Sequence, residues 1–95
     1  MSKEMIKQYN DLKAKHPDAV LLFRVGDFYR SISDDARIVS SVCGVTLAKD
    51  EKAGTWRCEF PHYNLDVFLP KLVRAGHRLA ICDPLEAPVK EEDQL

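Results

Sequence analysis

The sequence predicts a small single α/β domain: one mixed β-sheet flanked by about three helices. Two observations carry this. Segments with helical spacing of apolar residues alternate with short apolar or alternating runs. Their order is helix, two extended segments, helix, two strands, helix, strand. Ninety-five residues with 45% hydrophobic content also suit one modest core.

Ser2 is placed to cap the first helix. Met5, Ile6, Tyr9 and Leu12 recur at helical spacing, and Pro17 ends the helix at His16 or just before. Ala19 to Val25 is an apolar run broken only by Arg24, too short for a buried helix, and reads as a central strand. Gly26-Asp27 marks a bend or bulge, and Phe28 to Ile32 is a second extended segment. Ser33 is expected to cap the next helix, with Asp34 and Asp35 in its first turn, where the dipole favours anions. Ile38, Val39, Val42 and Cys43 give that helix its apolar stripe, and Gly44 fits its left-handed end. Val45 to Ala48 reads as a strand and Lys49 to Thr55 as a hairpin loop. Trp56, Cys58 and Phe60 then alternate with Arg57 and Glu59 as a half-buried strand.

Asn64 or Asp66 is expected to cap a third helix carrying Leu65, Phe68, Leu69, Leu72 and Val73. Pro70 demands either a kink or a helix that starts late enough to hold it near the first turn. Gly76 closes this helix, and Leu79 to Cys82 reads as a last buried strand. Residues 1–85 form the domain on this reading. Residues 86–95, with Pro88 and a charged run, form an acidic linker or disordered tail.

Charge is uneven along the chain. Residues 1–82 hold 13 Lys/Arg against 10 Asp/Glu, and residues 83–95 hold one Lys against five Asp/Glu. The globular part is mildly basic, well short of the pI above about 9 expected of a dedicated DNA-binding domain. Any affinity for nucleic acid should therefore be weak and salt-sensitive. No apolar run approaches the roughly 20 residues that span a membrane. The opening Met1-Ser2-Lys3-Glu4 is polar and unlike a signal peptide. Cys43, Cys58 and Cys82 are odd in number and widely spaced, which predicts reduced, mostly buried thiols and a cytoplasmic protein.

The stretch Leu22 to Arg30 carries the functional signal. In an extended chain Phe28 and Arg30 share a face and Tyr29 lies opposite. A strand end that offers an apolar wedge beside a cation suits a DNA minor groove, where inserted Phe, Leu or Ile side chains unstack a base step. Gly26 would serve the backbone at the bend. Lys49 and Lys52, at the tip of the expected hairpin, are the favoured sources of phosphate contacts.

Gly26-Asp27-Phe28-Tyr29 resembles the first four letters of the Gly-Asp-Phe-Tyr-Glu run of the MutS family of DNA mismatch repair proteins. The resemblance continues through Asp34-Asp35-Ala36, Pro61, Leu69 to Gly76, and Leu79 to Cys82, over roughly residues 5 to 85. It implies the N-terminal mismatch-recognition domain and its α/β fold. It further implies that Phe28 stacks on a mispaired base from the minor groove, and that other domains or subunits of a MutS-like protein grip the DNA. Arg30 departs from the pattern, because the matching Glu accepts a hydrogen bond from the mispaired base. Arginine carries only donors and a fixed charge. It can reach phosphate or base acceptors, or form a surface ion pair with Asp27 or Asp34. The swap should raise general affinity and weaken mismatch discrimination.

Three other readings compete. The fold can be kept as a non-catalytic interaction module in a larger protein. A degenerate Mg-dependent nuclease would need Asp27, Asp50 and Lys52 to converge. A zinc site would need Cys58, His62, His77 and Cys82, whose spacing matches no known zinc motif. No glycine-rich phosphate loop is present, and neither a cofactor nor an enzymatic activity is expected of this chain.

Overall fold

The structure is a computed structural model that describes residues 1–83, so the expected tail at 86–95 lies outside the described residues. Helix α1 (Lys3–Lys15) leads into β1 (Ala19–Val25) and β2 (Phe28–Ile32). Helix α2 (Ser33–Cys43) precedes β3 (Ala48–Asp50) and β4 (Thr55–Pro61). A 3-10 turn at His62–Asn64 opens α3 (Leu65–Arg74), and β5 (Arg78–Cys82) follows. The five strands form one sheet in the order β3-β4-β2-β1-β5. β5 runs parallel to β1, and all other pairs are antiparallel.

Both faces of the sheet are covered, which explains why β1 is apolar at every position but Arg24. Val20, Leu22, Tyr29, Cys58 and Phe60 meet Ala36, Val39 and Cys43 of α2 and Leu72 of α3. On the other face Leu21, Phe23 and Ile32 meet Tyr9, with Met5, Ile6 and Leu12 of α1 around them. Ser2 caps α1, its hydroxyl accepting the Met5 N–H at 3.2 Å.

Several expectations need correction. Ser33 makes no capping bond. It sits at the corner between β2 and α2 with φ 59°, in the left-handed region. The expected strand at Val45–Ala48 forms instead at Ala48–Asp50, because Val45 and Leu47 pack against the core from a loop. The hairpin loop is correspondingly shorter than Lys49–Thr55. The late start for α3 is not taken: the helix begins at Leu65, neither Asn64 nor Asp66 caps it, and Pro70 lies inside. Pro70 and Asp66 are both exposed, so the Asp66 carbonyl that loses its helical donor faces water. α3 ends in a Schellman pair, Gly76 N–H to Val73 O and His77 N–H to Leu72 O, with Gly76 at φ 93°. β5 is an edge strand rather than a buried one, and Ile81 is exposed.

One buried network ties the layers together. The Asp35 carboxylate accepts the Tyr9 hydroxyl at 2.6 Å, the Lys13 ammonium at 2.9 Å and the Leu21 N–H at 3.2 Å. Ser31 Oγ donates to the Leu21 carbonyl at 2.7 Å, and the Ile32 N–H reaches the Tyr9 hydroxyl. The recorded β1–β2 pairing stops at Phe23 and Arg30. These side chains therefore take the backbone groups that the separating strands leave open. Burial pushes the Tyr9 hydroxyl's pKa upward, and the Asp35 charge adds to the shift.

Asp35→Ala removes at once the shared acceptor of the Tyr9 hydroxyl, the Lys13 ammonium and the Leu21 N–H, leaving Tyr9 only the Leu21 carbonyl and Lys13 the Ala19 carbonyl. It should destabilise the domain by about 3 kcal/mol, seen as a lower urea midpoint at unchanged slope. A second prediction concerns alkaline pH. Burial, reinforced by the Cys43, Glu59 and Asp35 charges, pushes the Cys58 thiol up to about 12 from 9.0. A raised pKa in the folded state means that the unfolded chain releases this proton first. Stability is then complete below pH 9 and falls between there and pH 12. The thermal midpoint should drop over that window, and Cys58→Ala should reduce the dependence by about one proton.

Candidate nucleic-acid interface

The β1–β2 connection is a two-residue turn, not a bulge: Val25 pairs with Phe28, leaving only Gly26 and Asp27 between them. Gly26 has φ 60° and Asp27 does not have positive φ, the pattern of a hairpin turn with glycine at its first central position. Arg24 braces the turn, its Nε donating to the Gly26 carbonyl at 2.6 Å. The Arg24 guanidinium also lies over the Tyr29 ring, 5.6 Å from its centroid. On the far side the His62 N–H donates to the Asp27 carbonyl at 2.8 Å. The turn is thus fixed from both neighbours.

Phe28 follows directly and is 38% exposed, a large apolar side chain at the end of the sheet. It stands opposite Val25 on β1 and Pro61 on β4. Tyr29 points the other way into the core, packed on Phe60 at 5.8 Å between centroids. Arg30 shares the face of Phe28, as alternation requires. Its partner is neither Asp27 nor Asp34 but Glu59, directly across the β2–β4 ladder, with Arg30 Nε 2.5 Å from Glu59 Oε1. The two side chains are 23% and 36% exposed, so solvent screens the pair and its worth is about 0–1 kcal/mol.

Lys49 and Lys52 are not brought to this end. Phe28 pairs with Pro61, whereas Asp50 pairs with Thr55 at the other end of β4. Six residues of strand separate those levels, about 20 Å at 3.3 Å per residue. Lys49 also lies on the opposite face, over the Trp56 ring at 5.7 Å. The same span parts Asp27 from Asp50, so the nuclease set does not assemble. Asp50 is buried and held by the Met1 ammonium at 3.0 Å, Arg57 at 3.5 Å and the Ala53 N–H. Burial raises the pKa of its carboxyl, but those partners outweigh it and hold the pKa below the ordinary value. Cys58 and Cys82 face opposite sides of the sheet. Among the described residues no three His, Cys, Asp or Glu side chains gather as a metal site would need.

The model of the family described as MutS domain I matches residues 3–94. The chain belongs to the MutS domain I family. It is 56% identical over 87 residues to the DNA mismatch repair protein MutS of Bacteroides thetaiotaomicron, covering 88% of this chain and 10% of that protein. The Porphyromonas gingivalis MutS is 53% identical over 89 residues, covering 90% of this chain and again 10% of the relative. This MutS domain I chain therefore spans about a tenth of the length of the curated relatives it matches. No helix among the described residues is long and apolar enough to cross a membrane.

Sequence reasoning missed two residues at this end of the sheet. Glu59 alternates with Cys58 and Phe60, which marks it as facing away from the α2–α3 core, but only strand register puts it opposite Arg30. Tyr63, 72% exposed, stands just beyond Pro61, its ring 5.9 Å from that of His62. Gly26→Ala tests how far the turn governs this end. A Cβ meets nothing within 4 Å, so the cost is the positive φ alone, about 1–2 kcal/mol. The thermal midpoint should fall accordingly, while Gly26→Asn should lose less.

Proposed function

We propose that this chain is the DNA-probing module of a MutS-type mismatch repair protein, and that Phe28 is its wedge. Duplex DNA with a mismatch or distortion is the partner. The Phe28 ring enters from the minor groove and unstacks a base step, and no covalent chemistry is performed by this module. The observation that carries the reading is the exposed Phe28 at the tip of a pinned two-residue turn. A Phe spent on packing would face inward, as Tyr29 does. Membership of the MutS domain I family supports it, since the relatives are named as DNA mismatch repair proteins. Gly26 sets the turn, and Arg30 offers donors beside the wedge. Lys49 and Lys52, at the far end, contribute only if the duplex runs along the sheet or bends toward them. The module acts in the cytoplasm, where its free thiols stay reduced.

A second reading has one observation in its favour. Arg24 and Arg30 at this end are matched in number by Asp27 and Glu59, and Arg30 is paired with Glu59, so these four residues leave the tip without net charge. An interaction module that docks on protein rather than DNA would have such a neutral tip. A low-salt NMR titration with a short duplex, matched or carrying one mismatch, separates the two. Shifts clustered on residues 26–32, larger for the mismatch and lost in Phe28→Ala, are the expected result. Absence of shifts with either duplex at millimolar concentration would overturn the DNA reading in favour of the interaction module.

A further inference from the structure

Arg30 and Glu59 form the cross-strand pair next to Phe28 and Pro61 on one face of the sheet. Residues two apart on a strand are separated by about 7 Å. Any duplex seated on Phe28 therefore brings its backbone within reach of the Arg30 guanidinium. That guanidinium is already engaged, Nε to Glu59 Oε1 at 2.5 Å. Both side chains reach solvent, so a phosphate competes for the same donors.

Resting on the DNA reading above, we propose that Glu59 is a specificity-determining residue: it occupies Arg30 and keeps it off the phosphates. The carboxylate does this in two ways. It takes the Nε–H, one of the five guanidinium donors, and its charge offsets the attraction that Arg30 would otherwise exert on a phosphate. When a phosphate displaces it, its own charge is left beside that phosphate, which repels it. Phosphate contacts carry no sequence or mismatch information, whereas unstacking by Phe28 depends on how readily the base step opens. Suppressing one phosphate contact beside the wedge therefore shifts the balance of binding from charge to stacking. The pair is solvent-screened, so it acts as a competitor that DNA meets on arrival and not as a lock.

The consequence is measurable in the salt dependence of binding. Each phosphate neutralised steepens the slope of log K against log salt by about 0.9. The experiment is fluorescence anisotropy of matched and single-mismatch duplexes from 20 to 200 mM NaCl. The proteins are wild type, Glu59→Gln, Arg30→Gln, the double variant and Phe28→Ala. Glu59→Gln keeps the shape of the side chain and removes its charge, and thermal melts confirm that each variant is folded.

Glu59→Gln is expected to bind matched duplex about fivefold more tightly at 50 mM salt, with a slope steeper by about 0.9. The ratio of mismatch to matched affinity should fall. Arg30→Gln alone leaves the Glu59 charge unpaired and should weaken binding, and in the Glu59→Gln background it should abolish the gain. An unchanged slope in Glu59→Gln, or a gain that persists in the double variant, would overturn the role of Glu59. Loss of binding in Phe28→Ala alongside that result would leave the DNA reading intact. If no variant binds either duplex at 20 mM salt, both fall together.

Discussion

The tip of the β1–β2 hairpin can be presented outward because its other end is held by a buried carboxylate. Asp35 stands at the start of α2, yet it binds Tyr9 and Lys13 of α1, which lies across the opposite face of the sheet. It also takes the Leu21 N–H of β1, where β2 has begun to turn away. Without that acceptor, β1 and β2 would leave unsatisfied ladder groups inside the domain, each costing about 1–3 kcal/mol. Ser31 and Tyr9 complete the arrangement by taking the Leu21 carbonyl and the Ile32 N–H. The left-handed Ser33 lies at the same corner. Strain at that residue is tolerated because the hydrogen bonds around it leave the backbone no alternative route into α2.

From this anchor the geometry follows outward. The sheet is covered on both faces, so β1 and β2 have little freedom except at their connecting turn. Arg24 and the His62 N–H then fix the turn from either side. Phe28 is left as the first residue beyond the turn, flanked by Val25 and Pro61, neither of which is large enough to enclose it. Its exposure is thus a product of register: one residue earlier or later in the pairing would exchange Phe28 with a residue of the other face.

What was legible in the sequence had a local physical cause. The bounds of β1 follow from an apolar run between Pro17-Asp18 and Gly26, and the start of α1 from the Ser2 hydroxyl. The end of α2 at Gly44 likewise needs only its own neighbours. What was not legible depends on residues distant in sequence. Val45 and Leu47 look like a strand because they are β-branched or apolar, but the strand partner is available only from Ala48 onward. Asp35 reads as an ordinary first-turn carboxylate, since nothing local says that Tyr9, Lys13 and Leu21 converge on it. The same holds at the candidate interface. Phe28 and Arg30 were visible as a pair from alternation alone. Glu59, 29 positions away, was not, and neither was the separation of Lys49 and Lys52 from Phe28.

The electrostatics of the tip also bear on how much one such domain can do. A wedge must offset the cost of unstacking, a few kcal/mol per step. Burying the 38% of Phe28 still exposed returns only about 1 kcal/mol of the roughly 1.5–3 that a fully exposed ring would give, less than that cost. Net affinity then has to come from phosphate contacts, and this end offers few: Arg30 is paired with Glu59, Arg24 is braced on the Gly26 carbonyl, Asp27 adjoins Phe28, and Lys49 and Lys52 lie at the far end. On the proposed reading, the domain is nearly neutral in energy toward matched DNA and gains only where a step opens cheaply. Grip must then be supplied by something larger, which accords with relatives in which this domain is about a tenth of the chain. On that reading a probe that bound strongly by charge alone would stall on intact duplex, and the near-neutral tip would let stacking decide.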